Sequence, residues 1–104
     1  MPKNDKKAQR PIMALLDIIG QKWVLRIIWE LRDAPLTFRA LRERCDQVSP
    51  TVLNQRLGLL RENGLVVLAE DGYRPTPACK ELGAILMQLT GWSKDWAAGL
   101  EKSG

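Results

Sequence analysis

The most specific chemistry in this chain lies between residues 50 and 62, where hydroxyl, amide and guanidinium groups recur at helical spacing. On a helix, an arc of about 120° carries polar side chains and a glycine, opposite a narrow row of leucines. The arc consists of Thr51, Asn54, Gln55, Gly58, Arg61 and Glu62. Asn, Gln and Arg make paired hydrogen bonds to base edges, so this face is a candidate for reading DNA. The alternative is an ordinary solvated face, although such faces are usually richer in Glu and Lys.

Most enzyme and metal chemistry is excluded by composition. The chain contains no histidine, which removes Ser-His-Asp and Cys-His catalysis and zinc sites with imidazole ligands. Its two cysteines, Cys45 and Cys79, are too far apart in sequence to form a local ligand pair. No glycine-rich phosphate loop is present. We therefore predict a protein without enzymatic activity, metal or cofactor.

Positive charge is concentrated in the N-terminal two-thirds of the chain. The net charge is +4, from 16 Lys and Arg against 12 Asp and Glu. Residues 1–64 hold 12 basic and 7 acidic side chains, whereas residues 65–104 hold 4 basic and 5 acidic ones. This distribution is what a nucleic-acid surface requires. It also fits a basic protein with no nucleic-acid role, so charge alone leaves both interpretations open.

At 104 residues the chain has room for one compact domain. Residues 1–10 are polar and include four basic groups, which predicts a flexible basic tail. Residues 11–100 are assigned to the domain and residues 101–104 to a C-terminal tail. No apolar run exceeds five residues, and the N-terminus has no signal-peptide pattern. We therefore expect a cytoplasmic protein that does not associate with a membrane.

Two apolar helices are predicted first. Pro11 opens a helix that ends at Ile19, because proline suits the first helical turn. The next helix, Lys22 to Asp33, is apolar around most of its circumference, which is typical of a helix at the centre of a domain. Its Trp23 and Trp29 are expected in the core, and a ligand pocket is the alternative.

Two further helices follow a short extended segment at Leu36. Thr37 caps a helix from Phe38 to Cys45, in which Cys45 is expected to be a buried core residue. Ser49-Pro50 begins the polar-faced helix, and Asn63-Gly64 ends it. The charged side chains of the Phe38 helix are expected to face outward: Arg39, Arg42, Glu43 and Arg44.

A hairpin and a long helix complete the chain. Residues 65–70 predict a strand, Asp71-Gly72 a two-residue turn, and residues 73–75 the return strand. Thr76-Pro77 begins the last helix, whose apolar positions alternate four and three residues apart, as in packing against another helix. These positions are Ala78, Leu82, Ile85, Leu89, Trp92, Trp96 and Gly99.

The order of elements is that of a winged helix-turn-helix, mainly α with a small β-hairpin as its wing. Over about residues 11–100 the chain also resembles the HxlR-type transcriptional regulators, which are related to the MarR group. The resemblance implies a homodimer, formed by the first and last helices, that binds double-stranded operator DNA and represses or activates nearby genes. The segments that carry it are Ile18-Ile19-Gly20-Gln21-Lys22-Trp23, Leu36-Thr37-Phe38-Arg39-Ala40-Leu41, Val48-Ser49-Pro50-Thr51-Val52-Leu53-Asn54-Gln55-Arg56-Leu57 and Asn63-Gly64-Leu65-Val66.

Two sets of candidate residues follow. Thr51, Asn54 and Gln55 are predicted to meet base edges, while Arg39, Arg56 and Arg61 hold phosphates. The helical wheel places Arg56 among apolar residues, so internal pairing is the alternative for that residue. The full DNA-binding set is Thr37, Arg39, Ser49, Pro50, Thr51, Asn54, Gln55, Arg56, Arg61 and Arg74. The dimer-interface set is Ile12, Leu15, Leu16, Ile19, Leu89, Trp92 and Trp96.

An isologous dimer would set its two recognition helices about one DNA turn apart (roughly 34 Å) on a near-palindromic operator. The alternative for Trp92 and Trp96 is that both fold back onto their own subunit.

Three positions depart from the family pattern. Arg10 stands where relatives often carry a cysteine, which argues against thiol sensing of their kind. The wing is reduced to residues 70–73, and Gly58 occupies the site of a common basic residue on the recognition helix. A winged-helix protein-interaction module that has lost DNA binding is therefore the alternative function. A small-molecule effector is left open, since no residue pattern identifies one.

Neither cysteine is expected to act as a redox switch. Cys45 falls on the apolar side of its helix. Cys79 lies in the first turn of the last helix, where the helix N-terminus can lower a thiol pKa, so Cys79 is expected to be the more reactive of the two.

Overall fold

The computed structural model describes residues 10–103. Within that range, five helices and a two-stranded antiparallel sheet follow the expected order, which confirms a mainly α winged helix-turn-helix with a small hairpin. The elements are α1 (Pro11–Ile19), α2 (Val24–Glu30), α3 (Phe38–Arg44), α4 (Pro50–Glu62), β1 (Val66–Ala69), β2 (Gly72–Pro75) and α5 (Pro77–Ser103). The flexible tail predicted for residues 1–10 lies outside the described residues, apart from Arg10.

The core is built around α2, with contributions from α3, α4, β1 and the first turn of α5. The buried residues are all apolar or cysteine, and they come from one side of each helix, as the hydrophobic spacing predicts. They are Val24, Ile27, Ile28, Leu31, Leu41, Cys45, Val48, Leu53, Leu57, Leu60, Val66 and Cys79. The prediction that Cys45 is a core residue is confirmed.

Helix α2 is shorter than the predicted Lys22 to Asp33. Trp23 adopts a left-handed backbone conformation, with φ of 80°, so the helix begins only at Val24. At the other end, the Arg32 N–H donates to the Trp29 carbonyl at 3.2 Å, three residues back, which tightens and ends the last turn. Tertiary packing therefore overrides the helical pattern of the sequence at both ends.

The hairpin is tied to the segment that precedes α3. Leu36 and Tyr73 exchange two backbone hydrogen bonds of 3.0 and 2.8 Å, so Leu36 forms the short extended segment that was predicted. Gly72 makes this approach feasible, because a Cβ at that position would lie 2.5 Å from the Leu36 carbonyl oxygen, and its φ is +120°. The wing is thus anchored to the start of the helix-turn-helix.

The terminal helices contribute little to the core. Helix α1 has no buried residue. Helix α5 continues to Ser103, beyond the boundary drawn at residue 100, because Glu101 and Lys102 favour helix and neither glycine nor proline intervenes. Across residues 10–103, no helix combines the length and apolar content needed to cross a membrane.

Candidate nucleic-acid interface

Helix α4 presents the polar arc outward and the leucine row inward, as its sequence predicts. The Ser49 hydroxyl caps the helix by accepting a hydrogen bond from the Val52 N–H at 3.2 Å, and Pro50 occupies the first turn. On the inner side Leu53, Leu57 and Leu60 are fully buried. Their burial fixes the rotation of the helix and therefore decides which side chains face solvent.

The outward face of α4 offers unused hydrogen-bonding groups. Thr51, Asn54, Gln55 and Arg61 are all exposed. Within residues 10–103, the side chains of Asn54 and Gln55 make no hydrogen bond to the protein. Each amide therefore keeps a donor and an acceptor free in the planar arrangement that matches the edge of an adenine.

Helix α3 carries an exposed cation, Arg39. The Thr37 hydroxyl accepts a hydrogen bond from the Ala40 N–H at 3.1 Å and so begins the helix. The side chain of Arg39 is 92% exposed, and its Nε lies 3.7 Å from a carboxylate oxygen of Glu43. An exposed ion pair of that length is worth only about 0.2–1 kcal/mol, so Arg39 is free to move onto a phosphate.

The turn between α3 and α4 is held by arginines that bond inward. Asp46 and Gln47 both have left-handed backbones, with φ of 57° and 59°. Arg42 Nε donates to the Val48 carbonyl at 2.7 Å, and Arg26 Nη2 donates to the Arg44 carbonyl at 2.7 Å. These bonds satisfy backbone oxygens of the turn and position the start of α4.

The expectation that Arg42 faces outward is therefore wrong, since the residue is half-buried and bonded to the backbone of Val48. Spacing on α3 alone could not reveal this, because the carbonyl partner belongs to the following turn. The role of Arg26 in the turn was missed for the same reason.

Glu30 fixes the geometry of Arg26. The two side chains form an ion pair of 2.8 Å, and Glu30 is only 13% exposed. The hydrogen bond to Glu30 is the main reason that the pKa of Arg26 is raised above its ordinary value. Arg44 Nη1 also lies 3.8 Å from Glu30. The carboxylate on α2 thus orients the guanidinium that reaches the helix-turn-helix.

Arg56 belongs to the same scaffold rather than to the exposed surface. Its Nε donates to the Lys22 carbonyl at 2.8 Å, and the residue is half-buried. This bond joins α4 to the turn that precedes α2, and it is the internal pairing considered as the alternative to a phosphate contact. The wheel position among apolar residues was the signal for it.

The wing is short and carries one basic side chain, Arg74, against the two acidic side chains of Glu70 and Asp71. Arg74 donates two hydrogen bonds to the Asp71 carboxylate, at 2.6 and 2.7 Å, and this pairing holds the pKa of Asp71 below its usual range. The neighbouring Val67 and Leu68 are exposed. Both hydrogen bonds come from Nη2, so the carboxylate of Asp71 offsets the charge of Arg74 but does not engage its Nε and Nη1 donors.

Gly58 lies on the polar arc of α4, beside a groove shared with β1. Arg61 and Val67 line the same groove. A Cβ at Gly58 would meet no atom within 4 Å, so the site has room for a longer side chain. Steric crowding therefore does not explain why Gly58 replaces the basic residue of the family pattern.

The candidate dimer residues lie on the outside of the molecule. Ile12 and Leu16 of α1 are exposed, and Leu15 and Ile19 are half-buried. On α5, Leu89, Trp92 and Trp96 are 53%, 63% and 55% exposed. The two indole rings stack on each other with centroids 5.9 Å apart. The alternative that both tryptophans fold back onto their own subunit is therefore wrong.

Both cysteines are free and buried. Burial raises the thiol pKa of Cys79, and burial is also the main reason that the pKa of Cys45 is raised. The lowered pKa that the helix N-terminus could give Cys79 is not found, because desolvation raises it. Since both thiol pKa values are raised, the expectation that Cys79 is the more reactive of the two stays a prediction. In the described part of the chain, no group of three or more His, Cys, Asp or Glu residues is placed to hold a metal ion.

Comparison with known proteins identifies the family of this arrangement. The model of the HxlR-like helix-turn-helix family matches residues 18–101. A curated relative is YvaP of Bacillus subtilis, named as an HTH-type transcriptional regulator, which is 28% identical over 88 residues covering 78% of this chain and 82% of that protein.

Two solved structures share the fold. Quinone-bound YodB of B. subtilis superposes with a TM-score of 0.75 at 25% identity, covering 81% of this chain and 96% of that one. Reduced HlyU of Vibrio cholerae gives a TM-score of 0.64 at 29% identity, covering 86% of this chain and 94% of that one. The chain belongs to the HxlR-like helix-turn-helix family of DNA-binding transcriptional regulators.

Proposed function

We propose that the protein binds near-palindromic operator DNA as a homodimer and so represses or activates nearby genes. In this proposal Thr51, Asn54 and Gln55 read base edges in the major groove, and Arg39 and Arg61 hold phosphates. The observation that carries it is the exposed face of α4, where amide groups without a protein partner stand opposite three fully buried leucines. A recognition helix probes bases with its N-terminal part, which is where Thr51, Asn54 and Gln55 lie.

Other members of the proposed set act through the backbone. The hydroxyls of Thr37 and Ser49 already accept the capping hydrogen bonds of α3 and α4. Together with Pro50 they are exposed at the ends of these helices, where free N–H groups and the helix dipole favour a phosphate. We propose that these residues touch the DNA backbone.

The dimer follows from the unused apolar surface of the terminal helices. Large apolar side chains are exposed repeatedly along α1 and α5, and groups of exposed apolar side chains mark interaction surfaces. Large aromatic side chains such as Trp92 and Trp96 are the usual anchors of protein interfaces. Pairing of α5 with its copy would cover them and bring two α4 helices to one side of the dimer.

The proposal is tested by titrating a labelled operator and a random duplex with the protein at two salt concentrations. The operator would be selected beforehand from a pool of random sequences. Specific binding predicts a much tighter complex with the selected operator, and affinities for both duplexes that fall steeply with salt as phosphate contacts release counterions. Equal affinity for both duplexes, or no binding to either, would contradict the proposal and favour a protein-interaction module.

We further propose that the regulator has no enzymatic activity, acts in the cytoplasm and responds to a small organic molecule. YodB was solved with bound quinone. In this chain the only two thiols are buried, which favours reversible binding of an effector over its covalent capture.

A further inference from the structure

A cavity of about 700 Å³ lies between α2 and α5, away from the outer face of α4. One wall consists of Leu25, Ile28 and Trp29 of α2, and the other includes Cys79, Gly83 and Leu86 of α5. Pro75 of β2 also lines the cavity. The volume falls within the range of small-molecule sites, and the lining is predominantly apolar, as such sites usually are.

Three charged residues line this cavity, two basic and one acidic. Arg32 follows α2, and its guanidinium lies 4.0 Å from the centre of the Trp29 ring while Nη1 donates to the Trp29 carbonyl at 2.8 Å. Lys80 stands on the opposite wall, in the first turn of α5. Asp33, the only acidic residue of the lining, lies 3.7 Å from Arg32. Two cations against one carboxylate give the lining a net positive charge, and the N-terminus of α5 adds to the same sign.

We propose that this cavity binds an amphipathic organic monoanion, with its apolar body between α2 and α5 and its carboxylate at Arg32 and Lys80. Arg32 is already oriented by the Trp29 ring and carbonyl, so little conformational freedom is lost when it receives the carboxylate. An amphipathic cation would be repelled by the net positive charge of the lining, and a neutral molecule would leave both basic groups without a new partner. Trp29 therefore has the ligand-pocket role that the sequence left as an alternative to the core.

A substitution at Gly83 can test whether the cavity is the binding site. Gly83 lines the cavity, and a Cβ built there would meet no atom within 4 Å. A leucine at this position would project into the cavity while improving helix propensity. Gly91 lies on the same helix, has equally open space and does not line the cavity. The pair Gly83→Leu and Gly91→Leu therefore separates filling of the cavity from the general effect of leucine on α5.

The test uses the full chain, three probes with the same alkyl chain, and nuclear magnetic resonance titration of tryptophan indole and glycine signals. The probes are octanoate, 1-octanol and octyltrimethylammonium, each kept below the concentration at which it forms micelles. We expect octanoate to shift the signals of Trp29 and Gly83 saturably and to bind more tightly than the other two. Arg32→Gln should weaken octanoate about fivefold or less, as befits a partly exposed ion pair, and leave octanol unchanged.

The same titration can overturn the proposal in three ways. Octanol or octyltrimethylammonium binding as tightly as octanoate would remove the charge argument. Octanoate binding equally to Gly83→Leu and Gly91→Leu, or shifting only Trp92 and Trp96, would mean adsorption on the exposed face of α5. Absence of octanoate binding, together with a shift of Gly83→Leu toward monomer in sedimentation, would assign the cavity to a second copy of the chain. Binding is measured without DNA, so its failure is distinct from failure of the proposed operator recognition.

Discussion

The helix-turn-helix and the terminal helices differ in how much of their packing one chain completes. In α3, the following turn and α4, the apolar side chains pack into the core of the same chain, where Leu41, Leu53, Leu57 and Leu60 are fully buried. In α1 and the second half of α5, apolar side chains face outward, and α1 buries none. The helix-turn-helix therefore completes its packing within one protomer, whereas the terminal helices have exposed apolar surface that a second protomer can cover.

The two regions also use their side chains in opposite ways. Around the helix-turn-helix, Arg26, Arg42 and Arg56 turn inward and donate to backbone carbonyls, while neutral amides face outward. On α5 the polar groups are dispersed and the tryptophans face outward. The basic residues that build the reading surface are therefore largely different from those proposed to touch DNA. The net charge of the sequence includes both the arginines that bond to the backbone and those proposed to contact DNA, so it cannot distinguish them.

The largest effect is expected from removing the aromatic pair of α5. The double variant Trp92→Ala, Trp96→Ala should shift the protein from dimer to monomer in sedimentation, because interface anchors of this kind each contribute about 2 kcal/mol or more. Operator affinity should fall with the loss of the dimer. Lys94→Ala, an exposed change on the same helix, should leave both properties unchanged. A double variant that stays dimeric would remove α5 from the interface.

Removing an inward arginine should be the next largest change. Arg42→Met eliminates the hydrogen bond to the Val48 carbonyl, and the free energy of unfolding should fall by about 1.5–3 kcal/mol, as for a bond from a charged donor. Operator affinity should fall as well, with an unchanged salt dependence, because no phosphate contact is lost.

Arg39→Met is the matched control for Arg42→Met, because its side chain is exposed. It should leave stability unchanged and reduce the slope of log affinity against log salt by about 1.8, the value for one phosphate contact in each protomer of the dimer. If Arg42→Met instead lowered the slope and Arg39→Met did not, the assignment of inward and outward arginines would be reversed.

Replacing Gln55 should change the binding free energy by a similar or smaller amount, because Gln55 is proposed to read a base. Gln55→Ala should cost roughly 1–3 kcal/mol on the selected operator and relax specificity at one base position in each half-site. Binding to random duplex should be nearly unaffected, which can be measured in the same titration. Equal losses on both duplexes would transfer Gln55 from base reading to backbone contact.

The smallest effect is expected at the thiols. Oxidant should leave operator affinity unchanged, because Cys45 and Cys79 are buried and their raised pKa values keep them protonated. The unfolded state has the lower thiol pKa, so folding stability should be constant at neutral pH and decline only as pH rises through the ordinary thiol range. Loss of operator binding on oxidation of the wild type, but not of Cys79→Ser, would contradict this.

Local signals in the sequence predicted the framework because their physical causes are local. The caps at Thr37 and Ser49 and the leucine row of α4 each depend on neighbours a few residues away. The turn predicted at Asp71-Gly72 is wrong by one residue, because the turn consists of Glu70 and Asp71 while Gly72 already pairs with Ala69. The left-handed Trp23 and the carbonyl partners of Arg26 and Arg42 depend on contacts between elements, and so did not appear in any pattern. Cys79 shows the same limit, because its helix position suggested one pKa direction and its burial produced the other.

The central claim is that the terminal helices join two protomers, each of which presents a complete DNA-binding surface on α4. Hydroxyl-radical footprinting of the wild-type protein on its selected operator tests this claim most directly. Two protected half-sites should appear on one face of the DNA, related by a near-palindrome and separated by about one helical turn, roughly 34 Å. A single protected half-site, or two on opposite faces of the duplex, would contradict the account.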